Sequence, residues 1–162
     1  MSVSAADVQR LRAATGAGIM DAKRSLEEAG GDVDKAKDLL KERGLTKAAK
    51  KANRETAEGV VHSYIHGDGK IGVLLELLCE TDFVAKNDDF RNLAQEISMQ
   101  IAAGDPKDVK ELLAQPYIKD EKQTVEQMLQ AAIAKLGENI KVTRFARYAL
   151  GAGGEGEAES NG

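Results

Sequence analysis

The nine residues Ile71-Gly72-Val73-Leu74-Leu75-Glu76-Leu77-Leu78-Cys79 carry one charge, then give way abruptly to Glu80-Thr81-Asp82-Phe83-Val84-Ala85-Lys86-Asn87. A run that short and that apolar reads as a buried strand. Asn87 with Asp88 and Asp89 reads as a helix start, because a short polar side chain caps free amides and carboxylates favour the positive end. Phe83 and Val84 therefore fall in a short strand-to-helix connection, with an acid on one side and a base on the other. Two readings of Phe83 stand there: a side chain offered to a partner's pocket, or one folded back into the core. With no tryptophan and only three tyrosines and three phenylalanines in the chain, an exposed aromatic is a scarce item.

The flanking sequence supplies the rest of the framework. Ser4 and Asp7 open a helix that carries Val8 and Leu11, and Thr15-Gly16-Ala17-Gly18 breaks it. Ile19, Ala22, Leu26 and Ala29 share one face of a second helix that ends at Gly30-Gly31. Asp32 caps a third, with Val33, Ala36, Leu39 and Leu40 as its stripe up to Arg43-Gly44. Three short amphipathic helices bury their stripes only against one another, so residues 1–44 are expected to form a three-helix domain. Its Gly-Asp-x-x-x-Ala-x-x-Leu pattern resembles the ubiquitin-associated fold. Residues 45–57, rich in alanine and lysine, are expected to be a basic linker helix. Val60 to Ile65, the turn His66-Gly67-Asp68-Gly69 and the apolar run predict a hairpin. Helices are expected from Asn87, through Val109 to Leu113, and from Val125 to Leu136. A third strand follows over Ile140 to Leu150, with Ile140 and Val142 on one side and Lys141 and Thr143 on the other. The fold class is thus α+β: a three-helix bundle, then a core domain over 58–150 with a small three-stranded antiparallel sheet packed with helices. Residues 151–162, with five glycines and no large apolar side chain, are expected to be a disordered tail.

Charge and cysteine usage narrow the function classes. The net charge of −4 divides unevenly: residues 1–54 carry +4 and the remainder −8. The basic third lacks an aromatic stacking platform, so it suits an acidic protein partner better than direct nucleic-acid binding. One cysteine excludes an internal disulfide framework and points to a reducing compartment. With no secretory pattern and no apolar run near membrane-span length, a cytoplasmic protein without membrane contact is expected.

No catalytic constellation is expected. Cys79 ends an apolar strand with no base nearby in sequence and reads as an inert buried thiol. His62 and His66 lack a third ligand, so no metal site is expected. Thr15-Gly16-Ala17-Gly18 precedes a helix, but no strand precedes it and no Gly-Lys-Ser/Thr follows, which argues against a phosphate loop.

The string Cys-Glu-Thr-Asp-Phe-Val-Ala-Lys-Asn at 79–87 closely resembles the signature of the elongation factor Ts family. Three further motifs resemble that family in the same order: Leu11-Arg12-x-x-Thr15-Gly16-Ala17-Gly18-x-Met20-Asp21-x-Lys23, Lys47-Ala48-Ala49-Lys50-Lys51, and Leu136-Gly137-Glu138-Asn139-Ile140. The resemblance spans residues 5–150. It implies a translation factor, itself not an enzyme and without a cofactor, that promotes GDP release from elongation factor Tu and binds its GDP and nucleotide-free forms. Carried onto this sequence, Thr81, Asp82, Phe83 and Val84 would form a wedge that disturbs the partner's Mg²⁺ and phosphate site. Arg12, Ile19, Met20, Lys51, Leu136 and Gly137 would form the docking surface. The family commonly has Met at the position of Ile19, Ile at Leu136 and Cys at Ala22. Longer members add a second core subdomain, a helical hairpin and a C-terminal module that this sequence does not contain. The apolar residues of Ile140–Leu150 suggest that a second copy of the chain covers the sheet as a homodimer. The competing class is a non-exchanging adaptor or ribosome-associated module built on the ubiquitin-associated-like helices.

Overall fold

A computed structural model of the chain describes residues 3–152. The expected tail therefore lies outside the described residues, apart from its first two positions. The chain is α+β and divides into two compact units, Met1–Glu55 with Gln127–Asn139, and Thr56–Glu126 with the chain from Ile140.

The first unit is helical. α1 (Ala5–Thr15) starts at Ser4, whose hydroxyl accepts from the Asp7 amide, and ends at Gly16, whose left-handed φ of +70° lets its N–H reach the Arg12 carbonyl. α2 (Ile19–Glu28) follows Gly18. α3 (Val33–Lys51) is capped by Asp32, which accepts from the amides of Asp34 and Lys35. Leu11, Ala22, Leu26 and Ala36 form the core of these three helices. α3 does not stop at Gly44, where a break was expected, and the basic stretch is its continuation. One interior glycine costs a helix about 1 kcal/mol, and the alanines and lysines that follow are strong helix formers. A methyl at Gly44 would meet the Ala134 side chain at an ordinary 3.7 Å. Accordingly α7 (Val125–Leu136) groups from Gln127 onward with the N-terminal helices, whereas the sequence suggested a core domain running unbroken over 58–150.

The second unit holds an antiparallel sheet of β1 (Glu58–His66), β2 (Ile71–Cys79) and β5 (Lys141–Ala149), in the order β1-β2-β5. Val73, Leu75, Leu77 and Cys79 alternate toward α5 (Asp88–Gly104), which buries Phe90, Leu93, Ala94, Ile97 and Ile101. Between Glu76↔Arg144 and Leu77↔Val142 the register slips by one, leaving Thr143 as an extra residue on β5. Ile140 and Val142 are consequently buried, and of the apolar residues expected to face outward from this strand only Tyr148 and Leu150 are exposed. Gly59 sits where a methyl would fall 2.1 Å from the Leu77 carbonyl oxygen, so only glycine fits.

A short α6 (Val109–Ala114) leads into a hairpin that the sequence did not announce, β3 (Pro116–Tyr117) and β4 (Asp120–Thr124). Polar side chains of α5 hold it: the buried Gln100 donates to the Pro116 carbonyl and accepts from the Ile118 amide, while Glu96 receives bonds from Tyr117 and Lys119. Burial opposes ionisation of Glu96, but the Lys119 and Tyr117 bonds outweigh it and keep its carboxyl below the usual range. Burial and that carboxylate push the Tyr117 phenol well above its ordinary value.

Candidate functional site

At the end of β2 the chain turns into α4 (Asp82–Ala85), a single helical turn. Thr81 caps it by accepting from the Val84 amide, and the Cys79 thiol donates to the Thr81 carbonyl, which fixes the entry. Val84 and Ala85 point inward and are buried. Phe83, on the opposite side of the turn, is 79% exposed, so the folded-back alternative does not hold. Fully burying a side chain of this size contributes about 1.5–3 kcal/mol, which this unit forgoes. Asp82 pairs with Lys86 at 3.0 Å, and that hydrogen bond holds its carboxyl below the usual carboxylate range. Asn87 then caps α5 by accepting from the Asp89 amide. The result is an unburied phenyl ring on a turn fixed at both ends, flanked by charge.

The other candidate residues all lie in the helical unit. Thr15 donates to the Leu11 carbonyl and accepts from the Ala17 amide, and Arg12 Nε donates to the Ala17 carbonyl, so the Thr15–Gly18 turn is bonded back onto α1. This presents Ile19 and Met20 to solvent, Met20 at 68%. Val3, Val8, Arg12, Ile19 and Lys23 line a groove of about 360 Å³ beside them. Lys51 is the last residue of α3. Leu136 ends α7, and Gly137, at φ +78°, bonds its N–H to the Ile133 carbonyl. The sequence had assigned Leu136 and Gly137 to the sheet-bearing domain; they group instead with Arg12, Ile19, Met20 and Lys51. Sequence reasoning missed the reason: the Lys135 stem lies where a methyl on Gly16 would reach, a contact that no local pattern encodes.

Among the described residues no group of three or more His, Cys, Asp or Glu is placed to hold a metal ion. His62 meets Gln95 and His66 meets Tyr64. No described helix is long and apolar enough to cross a membrane.

The described residues thus combine a helical unit with a small sheet whose β2 leads into a capped turn carrying one exposed aromatic. A family profile described as elongation factor TS matches residues 80–155. Elongation factor Ts of Desulforamulus reducens is 46% identical over 93% of this chain and 90% of its own length. The Cyanothece protein of that name is 44% identical over 96% and 76%. That of Coprothermobacter proteolyticus is 41% identical over 93% of this chain and its whole length. The chain belongs to the elongation factor Ts family of translation factors. The D. reducens alignment spans 196 positions but takes in 93% of a 162-residue chain, about 151 residues. About 45 of those positions are therefore residues that the relative has and this chain lacks.

Proposed function

We propose that this chain is a guanine-nucleotide exchange factor, not itself an enzyme, that binds elongation factor Tu in its GDP form and drives GDP off. The observation that carries the reading is Phe83, 79% exposed on a turn whose other apolar residues are buried. A ring held out of its own core at that cost is pre-positioned for a pocket elsewhere, and the family resemblance supplies the pocket in the partner's nucleotide domain. The wedge of Thr81, Asp82, Phe83 and Val84 displaces groups that order the partner's Mg²⁺ and phosphate site, while Arg12, Ile19, Met20, Lys51, Leu136 and Gly137 hold the two proteins together. No covalent step is required. A protein that binds the nucleotide-free partner more tightly than the GDP form weakens GDP binding by the same factor. The work takes place in the cytoplasm, with neither nucleic acid nor membrane as a direct partner.

The sheet supports a homodimer within the same reading. Val61, Ile65, Leu74 and Tyr148 all stand exposed on the face turned away from α5. A second copy presents the same patch and covers it by symmetric contact.

Release of labelled GDP from elongation factor Tu tests the reading. Wild type accelerates release. Phe83→Ala weakens the effect about 30- to 1,000-fold, the loss of a 2–4 kcal/mol anchor, with an unchanged melting temperature. A GDP off-rate indifferent to the wild-type chain would make it an adaptor instead.

A further inference from the structure

We propose that Asn139 is a positioning residue for docking, a clasp that holds Lys51 and the Leu136–Gly137 loop in one arrangement; the inference rests on the exchange reading above. Asn139 is only 2% exposed, and its side-chain amide spends both N–H bonds on main-chain carbonyls, Arg54 O at 2.9 Å and Ala52 O at 3.3 Å. A carbonyl facing two carbonyls gains nothing, so only the amide nitrogen can occupy that place. The two acceptors lie 85 and 87 residues away in the sequence.

Their position gives the contact its consequence. Ala52 is the C-cap of α3, and the Arg54 amide bonds back to the Lys51 carbonyl, so the clasp closes on the turn that carries Lys51. Carbonyls at a helix end have no partner within the helix and need one from outside. On its own side Asn139 follows Leu136-Gly137-Glu138, where α7 has just ended. One amide thus ties together two helix ends, each bearing a docking residue. A left-handed backbone does not account for the asparagine: among the described residues Asp105 is the one non-glycine with positive φ. A buried donor pair aimed at one helix end is what fixes the spacing between two contact points before the partner arrives.

The test is a double-mutant cycle read by GDP release against concentration of this chain. Asn139→Asp keeps the shape and removes both donors; Asn139→Ala removes them without adding charge. The half-saturating concentration is expected to rise about tenfold for either, the worth of about one net hydrogen bond moved into the cost of docking. The maximal rate should stay near wild type, since the wedge is untouched. Lys51→Ala should cost clearly less in the Asn139→Ala background than in wild type, because a displaced Lys51 has little left to lose. Additive losses, with wild type active, overturn the clasp and leave the exchange reading standing. Loss of the helical circular dichroism signal in both Asn139 variants overturns it in favour of a purely structural role. No acceleration by wild type removes the exchange reading and the clasp with it.

Discussion

The two units reach order by different means. In the sheet unit Phe90, Leu75, Leu77, Ile97, Ile101 and Leu112 are completely buried, so dense apolar packing fixes the turn that carries Phe83. In the helical unit the cluster of α1, α2 and α3 has two large side chains, Leu11 and Leu26, with two alanines. Polar ties supplement it: Arg43 binds Ser25 and Glu28 at 2.6 Å, and Lys47 binds Asp21 at 2.7 Å. The proposed wedge is thus mounted on the heavily packed unit, and the proposed docking residues on the lightly packed one, where directional bonds set the spacing that packing alone would leave loose.

That contrast can be broken most forcefully in the cores. Phe90→Ala should cost about 3–5 kcal/mol and Leu26→Ala about 2–5 kcal/mol. Hydrogen exchange should show amides of β2 opening in the first variant and amides of α2 in the second. Equal opening of both units in either variant would mean one cooperative body rather than two.

A middle-sized effect belongs to the bare sheet face. Leu74→Glu places a charge in the middle of the patch and should raise the dimer dissociation constant by about tenfold or more, since each buried side chain of this size contributes about 1.5–3 kcal/mol. Analytical ultracentrifugation across micromolar concentrations reads it. A wild-type mass that stays at 17.3 kDa would mean that the face is not a dimer contact.

The smallest effect sharpens the account of the polar ties. The Lys47 bond lowers the Asp21 pKa in the folded chain, so the unfolded chain takes up its proton first as pH falls. The tie therefore stabilises above about pH 4 and is lost as pH drops through the depressed folded value. Both partners are more than a third exposed, which limits the gain to about 0.2–1 kcal/mol. Comparing urea midpoints at pH 6 and pH 3, wild type should lose slightly more than Lys47→Ala; equal losses would show that the tie is silent.

What could be read from the sequence was what depends on neighbours in the chain. The Ser4, Asp32 and Asn87 caps, the stripe of α5 and the apolar run of β2 are local, and the structure forms a cap, a helix or a strand at each; that Leu74 faces solvent while Val73 and Leu75 are buried was not legible in the run. The β4 segment Asp120-Glu121-Lys122-Gln123-Thr124 has no apolar alternation; Glu96 and Gln100 hold its hairpin from another element, so nothing nearby announces a strand. Gly44 looked like a stop because glycine usually is one, and tertiary packing overrode it. At the site, the sequence singled out Phe83 but left its direction open. Inward Val84 and Ala85, with the Thr81 cap, set that direction.

Thr143 has a consequence of its own. As the unpaired residue on β5 it resets the parity of the strand, so positions counted from Lys141 and positions counted from Ala149 follow opposite odd-even rules. Removing that one residue would leave composition and hydropathy almost untouched. It would nonetheless turn Val142 toward water, or Phe145 and Arg147 in its place, depending on which half of the strand yielded. The tolerance of this fold to insertion and deletion is therefore not a matter of length. About 45 residues can differ between relatives, while one residue at this point decides which side of the sheet is inside.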